Sequence, residues 1–158
     1  MSAPDRHQLL PVKSWRETPL DALGAVEPFL LFVAADLAPD DSGVLEWARS
    51  LIRHGCRVLV AWGPNCQQME NEFDWACVLE GQEAGHDDVM VMTTSHPEDS
   101  PEQAAWDFLR PMSAFCENRK FVFVIEERQD WVARIERILI DPDEFCSRFA
   151  DDDAYNHG

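Results

Sequence analysis

The chain has 158 residues, 46% of them hydrophobic, and its 30 acidic residues outnumber its 13 lysines and arginines to give a formal charge of −17. This length suits a single domain with its own core, and the apolar fraction excludes a disordered chain. The negative charge repels nucleic acid and anionic lipid, which argues against direct nucleic-acid or membrane binding. It serves either solubility or encounter with a basic protein partner.

The first 28 residues predict an extended leader that wraps the domain. Four prolines interrupt it, at positions 4, 11, 19 and 28, and proline cannot continue a regular hydrogen-bonding pattern. Thr18-Pro19-Leu20-Asp21 has the signature of a helix start, with a capping threonine, proline at the first helical position and an acid in the first turn. We therefore expect one short helix over residues 19–25.

Two strand–helix pairs follow the leader. Continuous apolar runs at residues 29–35 and 56–62 predict strands that are covered on both faces. After the first run, Asp40-Asp41-Ser42 offers capping residues for an amphipathic helix that ends at Gly55. After the second run, another amphipathic helix is expected to end near Gly81.

Two further pairs complete the pattern. A third strand is predicted over residues 89–93, and Ser100-Pro101-Glu102-Gln103 then forms a capping box that begins a helix. Pro111 lies inside that helical pattern and should kink or split it. A fourth strand is predicted over residues 121–125, and a final amphipathic helix over residues 131–139.

These alternations predict an α/β fold, a three-layer sandwich with a four-stranded, mainly parallel sheet. We expect the flavodoxin-like strand order 2-1-3-4. The single domain would span residues 29–149, between the extended leader at 1–28 and a disordered acidic tail at 150–158.

The cysteines and the apolar runs indicate a cytoplasmic protein. Five cysteines form an odd, dispersed set without a C-x-x-C pair, which is typical of free thiols in a reducing compartment. The longest apolar run, residues 29–35, is too short to cross a bilayer, which takes about 20 residues. The N-terminus shows no signal-peptide pattern.

A binding site is expected where the parallel strands end, because ligands of open parallel sheets bind beyond the carboxyl ends of the strands. The residues predicted to form it are Asp36, Asp40, Asp41, Trp62, His96, Glu98, Asp99, Trp106, Glu126 and Glu127. The chain has no dinucleotide, P-loop, nucleophile-elbow or zinc motif, so no cofactor is predicted.

Two catalytic alternatives remain open. Asp36 together with Asp40 or Glu126 has the carboxylates that hold Mg²⁺, although acids at helix starts also serve as caps and as a solvated rim. Cys66 lies at a helix start, where a thiolate is stabilised, and His96 would serve as its base. The other interpretation of this pair is a small core residue beside a surface histidine.

The tryptophans indicate a contact surface. Trp62 closes the second strand at the ligand edge, and Trp47 fits the buried stripe of its helix. Trp75 and Trp106 fall outside the strongest apolar stripes of their helices, and tryptophan is enriched at protein interfaces. Both are therefore candidates for a contact surface, and the other interpretation is that they pack within the domain.

Several segments resemble a family of small uncharacterised bacterial proteins. They are Trp62-Gly63-Pro64-Asn65-Cys66, Phe73-Asp74-Trp75, Met92-Thr93-Thr94-Ser95-His96 and, after an acidic loop, Ala104-Ala105-Trp106-Asp107-Phe108. The resemblance covers residues 29–125. It implies a bacterial origin and no assigned activity, so no catalytic role is carried over.

The leading functional prediction is a non-enzymatic acidic binding protein. Its most specific form is an immunity or inhibitor protein that neutralises a basic partner such as a toxin domain. The charge, the missing catalytic motifs and the tryptophans outside the core stripes favour this class. The alternative is a small enzyme, dependent on Mg²⁺ or on Cys66, that acts on a phosphate-bearing or nucleotide-like substrate.

Overall fold

The computed structural model describes residues 6–85, 90–117 and 120–157, with the backbone alone for 151–157. The strands in these ranges are β1 Arg6–Val12, β2 Phe29–Ala34, β3 Cys56–Trp62, β4 Met92–His96 and β5 Lys120–Glu126. The helices are α1 Val44–Arg53, α2 Cys66–Ala84, α3 Pro101–Leu109, α4 Trp131–Ile140 and α5 Pro142–His157. Three short 3-10 helices lie at Trp15–Glu17, Leu20–Leu23 and Met112–Phe115.

The α/β class and the parallel sheet are confirmed, but the described sheet has five strands and a different order. All neighbouring strands are parallel, in the order β1-β5-β2-β3-β4. The four strands predicted from the sequence therefore lie in the order 4-1-2-3, and the expected order 2-1-3-4 is wrong. Hydrophobic periodicity identifies strands but carries no information about which strands pair, so it does not distinguish the flavodoxin-like order from the observed one.

The additional strand is β1, which lies inside the predicted leader. Arg6 pairs with Lys120 and Val12 with Glu126, so β1 runs along the full length of β5. Its apolar run is short and Pro11 interrupts it, which predicts an irregular segment. Proline is tolerated here because β1 is an edge strand, where an amide on the outer side has no partner to lose.

The direction of each connection across the sheet decides which face its helix covers. Connections from β1 to β2, β3 and β4 all run the same way, and they carry α1, α2 and the first two 3-10 helices on one face. The return from β4 to β5 carries α3, which packs with α4 and Cys146 of α5 on the other face. Right-handed crossovers produce this segregation.

The two central strands are enclosed by these layers. Every residue of β2 and β5 is buried, whereas all five residues of the edge strand β4 are partly exposed. Leu31 and Val33 of β2 face the α1–α2 layer, and Phe32 faces the α3–α4 layer. A strand with two buried faces needs the continuous apolar run that identified it in the sequence.

Element boundaries differ from the predictions in several places. α2 continues to Ala84 instead of ending near Gly81, and the N-cap of α1 is Gly43 instead of a residue of Asp40-Asp41-Ser42. The third strand begins at Met92 rather than 89 and continues to His96, which moves residues 94–96 from a loop into β4; Val89 lies outside the described residues. The expected helix over 19–25 is a 3-10 helix over Leu20–Leu23. The expected disordered tail continues α5 as far as His157, while Gly158 is outside the description.

Other local predictions are confirmed. Ser100 caps α3 by accepting a hydrogen bond from the Gln103 amide at 3.1 Å, and Pro101 occupies the first turn. Pro111 divides the predicted helix, because α3 ends at Leu109 and a 3-10 helix begins at Met112. Within the described ranges, no helix combines the length and the apolar character needed to cross a membrane.

Candidate binding site at the carboxyl edge of the sheet

The carboxyl ends of the five strands meet at one edge of the sheet because all of them are parallel. The connections that leave β2 and β5 go to opposite faces, so the gap between these two neighbouring strands is the topological switch point where ligands of such sheets bind. Gly63 follows β3 and allows its backbone to pack closely against the segment after β2. Its φ is +117°, and a Cβ there would lie 2.2 Å from the Ala35 carbonyl oxygen.

Glu126 closes the switch point. Its side chain is almost fully buried, and its two oxygens accept hydrogen bonds from the backbone amides of Trp15 at 2.9 Å and Asp36 at 2.8 Å. The Nε of Arg128 donates a third hydrogen bond at 3.0 Å. The carboxylate thus joins the segments that follow β1 and β2 to the end of β5, which satisfies a buried charge with donors.

Asp36, a candidate Mg²⁺ ligand with Asp40 or Glu126, lies beside Glu126 because both carboxylates bind Arg128. Asp36 pairs with the guanidinium of Arg128 at 3.2 Å. Asp40 lies farther along the loop, with its backbone amide bonded to Gln68 at 3.1 Å, and Asp41 pairs with Arg16. In the described part of the chain, no group of three or more His, Cys, Asp and Glu side chains is arranged to hold a metal ion.

His96 forms the second cluster, at the end of β4. Its Nδ1 lies 2.7 Å from Asp99, and its Nε2 lies 3.1 Å from Asp107 on α3. The side chain is 13% exposed, and burial by itself lowers the pKa of an imidazole. The hydrogen bonds and charges of Asp107 and Asp99 outweigh burial, so the pKa of His96 is raised above its ordinary value.

The predicted pair of Cys66 and His96 meets through the backbone. Cys66 begins α2, and the backbone amide of His96 contacts its thiol, whereas the imidazole engages Asp99 and Asp107. Burial raises the pKa of the Cys66 thiol in spite of this amide. The thiolate stabilisation expected from its place at a helix start is therefore offset by desolvation. All five cysteines are free thiols.

The tryptophans divide into packed and exposed residues. Trp62 donates from Nε1 to the Asp99 carbonyl at 2.7 Å and meets Trp131 edge-to-face at 4.8 Å. Trp106 is half-buried, and its ring lies 6.2 Å from that of Phe149 on α5. Trp75 is 61% exposed, as its position outside the buried stripe predicts.

Exposed carboxylates remain along the edge. Asp40, Glu98 and Glu127 follow β2, β4 and β5, all three are exposed, and the ion pairs recorded among the described residues do not involve them. The edge therefore combines acids neutralised within the protein with acids that face solvent.

The segment on the β4 side of the molecule supplies no lysine or arginine of its own. Between Arg57 and Arg110 the sequence has eleven acidic residues and no lysine or arginine. This segment supplies most of β3 together with α2, β4 and α3, which are neighbours because β3 and β4 are the last two strands of the sheet. Three of these acids pair with arginines of other helices, Glu80 and Glu83 with arginines of α1 and Glu102 with Arg134 of α4, and, among the described residues, the others have no arginine partner.

Sequence reasoning missed three residues of these clusters. Arg128 could have been found by its position just after a buried strand, among residues already assigned to the edge. Asp107 resembles any polar helix residue until the fold brings α3 beside β4. Trp15 takes part through its backbone amide, for which the sequence has no signal.

Comparisons with known proteins agree with the family resemblance. A family model described as a domain of unknown function, DUF7684, matches residues 10–142. No curated protein and no solved structure matches the chain.

Proposed function

We propose that this chain, which belongs to the DUF7684 domain family, is a non-enzymatic binding protein for a basic protein partner. The observation that carries the proposal is the cation-free segment between Arg57 and Arg110, which folds into one side of the molecule. Acids of this segment that have no arginine partner among the described residues, such as Asp74 and Glu98, are exposed and produce a local negative potential, which attracts a cationic surface and raises the rate of encounter.

The internal pairing of the titratable groups favours binding over catalysis. Glu126 uses both oxygens on donors from its own chain, and His96 is held between two carboxylates. A general base must be able to reach a substrate proton, and a Mg²⁺ ligand must offer oxygen atoms to the ion. Both side chains are bonded to other groups of the protein, so they support the enzyme alternative less well than the acidic surface supports recognition.

The narrower form of the proposal is an immunity or inhibitor protein. A basic toxin domain, such as a secreted nuclease, carries cationic residues that bind its own acidic substrate. A protein with a formal charge of −17 complements that surface electrostatically. Rapid association protects the cell that makes such a toxin, and electrostatic attraction acts mainly on association.

Affinity purification with the tagged chain, followed by mass spectrometry, tests the proposal. We expect a stoichiometric partner with a high isoelectric point whose retention falls as salt is added. Metal-dependent turnover of a phosphate ester, together with the absence of any retained basic protein, would favour the enzyme alternative instead.

Charge variants then test where the partner binds. The triple variant Asp40→Asn, Glu98→Gln, Glu127→Gln neutralises exposed acids of the carboxyl edge that form no ion pair among the described residues. We expect it to lower the association rate by roughly tenfold or more. The matched control is Asp21→Asn, Glu117→Gln, Glu136→Gln, three exposed acids away from that edge. An equal effect of both triples would show that only the total charge matters.

A further inference from the structure

We propose that the basic partner docks as an extended strand on the open edge of β4, with Trp75 and Val78 of α2 as its apolar anchors. This inference rests on the proposed function and specifies how the partner binds. Three features of the structure carry it: an unpaired strand edge, an exposed apolar stripe beside that edge, and the sign of the surrounding charge.

The first feature is the edge itself. β4 pairs with β3 along Met92–His96, and in the described part of the chain no strand pairs with its other side. Half of the backbone amides and carbonyls of such a strand point outward, which makes it a template for a further strand. Partial exposure of all five β4 residues agrees with an uncovered edge.

The opposite edge of the sheet is less suited to strand addition. β1 contains Pro11, which has no amide hydrogen to donate, and it begins with the exposed residue Arg6. Proline and charged residues are the features by which natural edge strands avoid pairing with other chains. β4 has neither proline nor lysine nor arginine.

The second feature is a stripe on α2. Asp74 and Glu70 accept hydrogen bonds at 2.8 Å from Thr93 and Ser95 of β4, which fixes this side of α2 beside the strand. The next positions on the same side are Asn71, Asp74, Trp75 and Val78, and they line an open cavity of about 430 Å³. Trp75 is 61% exposed and Val78 47%.

Large exposed apolar side chains beside a strand edge suit strand addition. In this binding mode the backbone hydrogen bonds supply affinity, and pockets for alternate side chains supply specificity. Trp75 offers the face of its indole to an arginine, which is a favourable cation–π contact, and Val78 offers an aliphatic surface.

The third feature selects the occupant. Glu80 and Glu83, near the end of α2, pair with arginines of α1. Three acids earlier in the helix have no ion pair among the described residues, namely Glu70, Glu72 and Asp74, and the loop after β4 adds Glu98 and Asp99. A basic extended segment gains from this charge. A second copy of the chain would place two such surfaces side by side, which like charges oppose.

The experiment uses a fluorescent peptide of roughly eight residues that alternates arginine and valine, a length typical of strands. Two further peptides carry N-methyl groups on alternate amides. One is methylated at the odd-numbered residues and the other at the even-numbered residues, and these are the two phases of methylation. Methylation leaves the charge unchanged and removes donors from one edge of the peptide only. Binding to the full chain is measured by fluorescence anisotropy, and exchange of the amide hydrogens of residues 92–96 by mass spectrometry.

Strand addition predicts that one phase of methylation weakens binding at least tenfold more than the other, because only one edge faces β4. It also predicts slower amide exchange in 92–96 when the unmethylated peptide is bound. Trp75→Ala should weaken binding about tenfold, whereas Ile140→Ala, which removes an exposed apolar side chain from α4, should not.

Three results would contradict the inference in distinguishable ways. Equal binding of both methylated peptides, with no effect of Trp75→Ala, overturns strand addition and leaves the acidic binding protein standing. Concentration-dependent dimerisation of the chain that competes with the peptide makes a second copy the occupant. Absence of salt-sensitive binding by every peptide overturns the proposed function as well.

Discussion

At the scale of single residues, the clusters at the carboxyl edge show how the chain accommodates buried charge. Glu126 is buried but has donors on both oxygens, and His96 is nearly buried between two carboxylates. Each group is costly to transfer from water unless its partners are present. Removing a partner should therefore cost more than removing an exposed charge nearby.

Glu126→Gln should lower the free energy of unfolding by roughly 1–3 kcal/mol, because the amide nitrogen of glutamine would face a backbone donor in place of an acceptor oxygen. Urea denaturation measures the change. Glu127→Gln is the matched control, since Glu127 is exposed, and it should stay within about 0.5 kcal/mol of the unmodified protein. Equal effects of the two variants would show that Glu126 does not join the strand ends.

Asp107→Asn should lower the pKa of His96, since it replaces a carboxylate 3.1 Å from Nε2 by a neutral amide. Because the pKa of folded His96 is raised, its stabilising contribution is fully present below the unfolded pKa of about 6.5 and is lost as pH rises through the folded pKa. Titration by NMR follows the imidazole directly. Asp143→Asn, which removes an exposed acid of α5, should leave the titration unchanged.

At the scale of elements, α1 and α2 are joined by ion pairs as well as by their apolar faces. Glu80 of α2, whose side chain is 10% exposed, accepts hydrogen bonds from Arg49 at 2.8 Å and from Arg53 at 2.7 Å. The bonds from Arg53, opposed by burial and reinforced by Arg49, hold the pKa of Glu80 below its ordinary value. The Glu80 carboxylate thus fixes α2 relative to α1.

Glu80→Gln should destabilise the protein at neutral pH by a margin that shrinks in acid. A carboxylate whose folded pKa is lowered stabilises above its unfolded pKa of about 4.3, and the contribution is lost as pH falls through the folded pKa. Thermal unfolding of both proteins across this range measures the difference. A margin that does not depend on pH would indicate lost packing instead of lost charge.

The buried residues of the predicted apolar runs should be the most sensitive to truncation. Val33, Leu59 and Val124 are fully buried and Val91 is 8% exposed, as the apolar runs predicted. Truncation of any of them to alanine should cost about 1–3 kcal/mol through lost burial and packing, measured by urea denaturation. Val26→Ala, at an exposed valine, is the control and should have little effect.

At the scale of the whole molecule, the charge of −17 should govern how fast a basic partner arrives. Added salt should slow association steeply and change dissociation little, since attraction between separated charges is screened beyond about 8 Å at physiological ionic strength. Surface plasmon resonance with the purified partner separates the two rates. An association rate that is independent of salt would leave solubility as the role of the acidic surface.

The sequence by itself determined the α/β class, the central strands and the cap of α3. Each depends on local information: apolar residues 29–35 and 121–125 cannot face water on either side, and Ser100 caps the amide three residues ahead. The sequence also placed Asp40, Glu98 and Glu127 at one edge, because parallel strands end together. The basic partner that the charge indicates has not been tested and stays a prediction.

The tertiary structure alone decided the pairing of strands and of side chains. β1 was hidden because its partner β5 lies more than a hundred residues away, and an edge strand needs little apolar sequence of its own. The contact of His96 with Asp107 and that of Glu126 with Trp15 likewise join distant segments. Hydrophobic periodicity shows which side of a segment packs against the core, whereas these contacts depend on the order of the strands. For that reason the bonds of Glu126 at the switch point and the unpaired edge of β4 could be identified only from the fold.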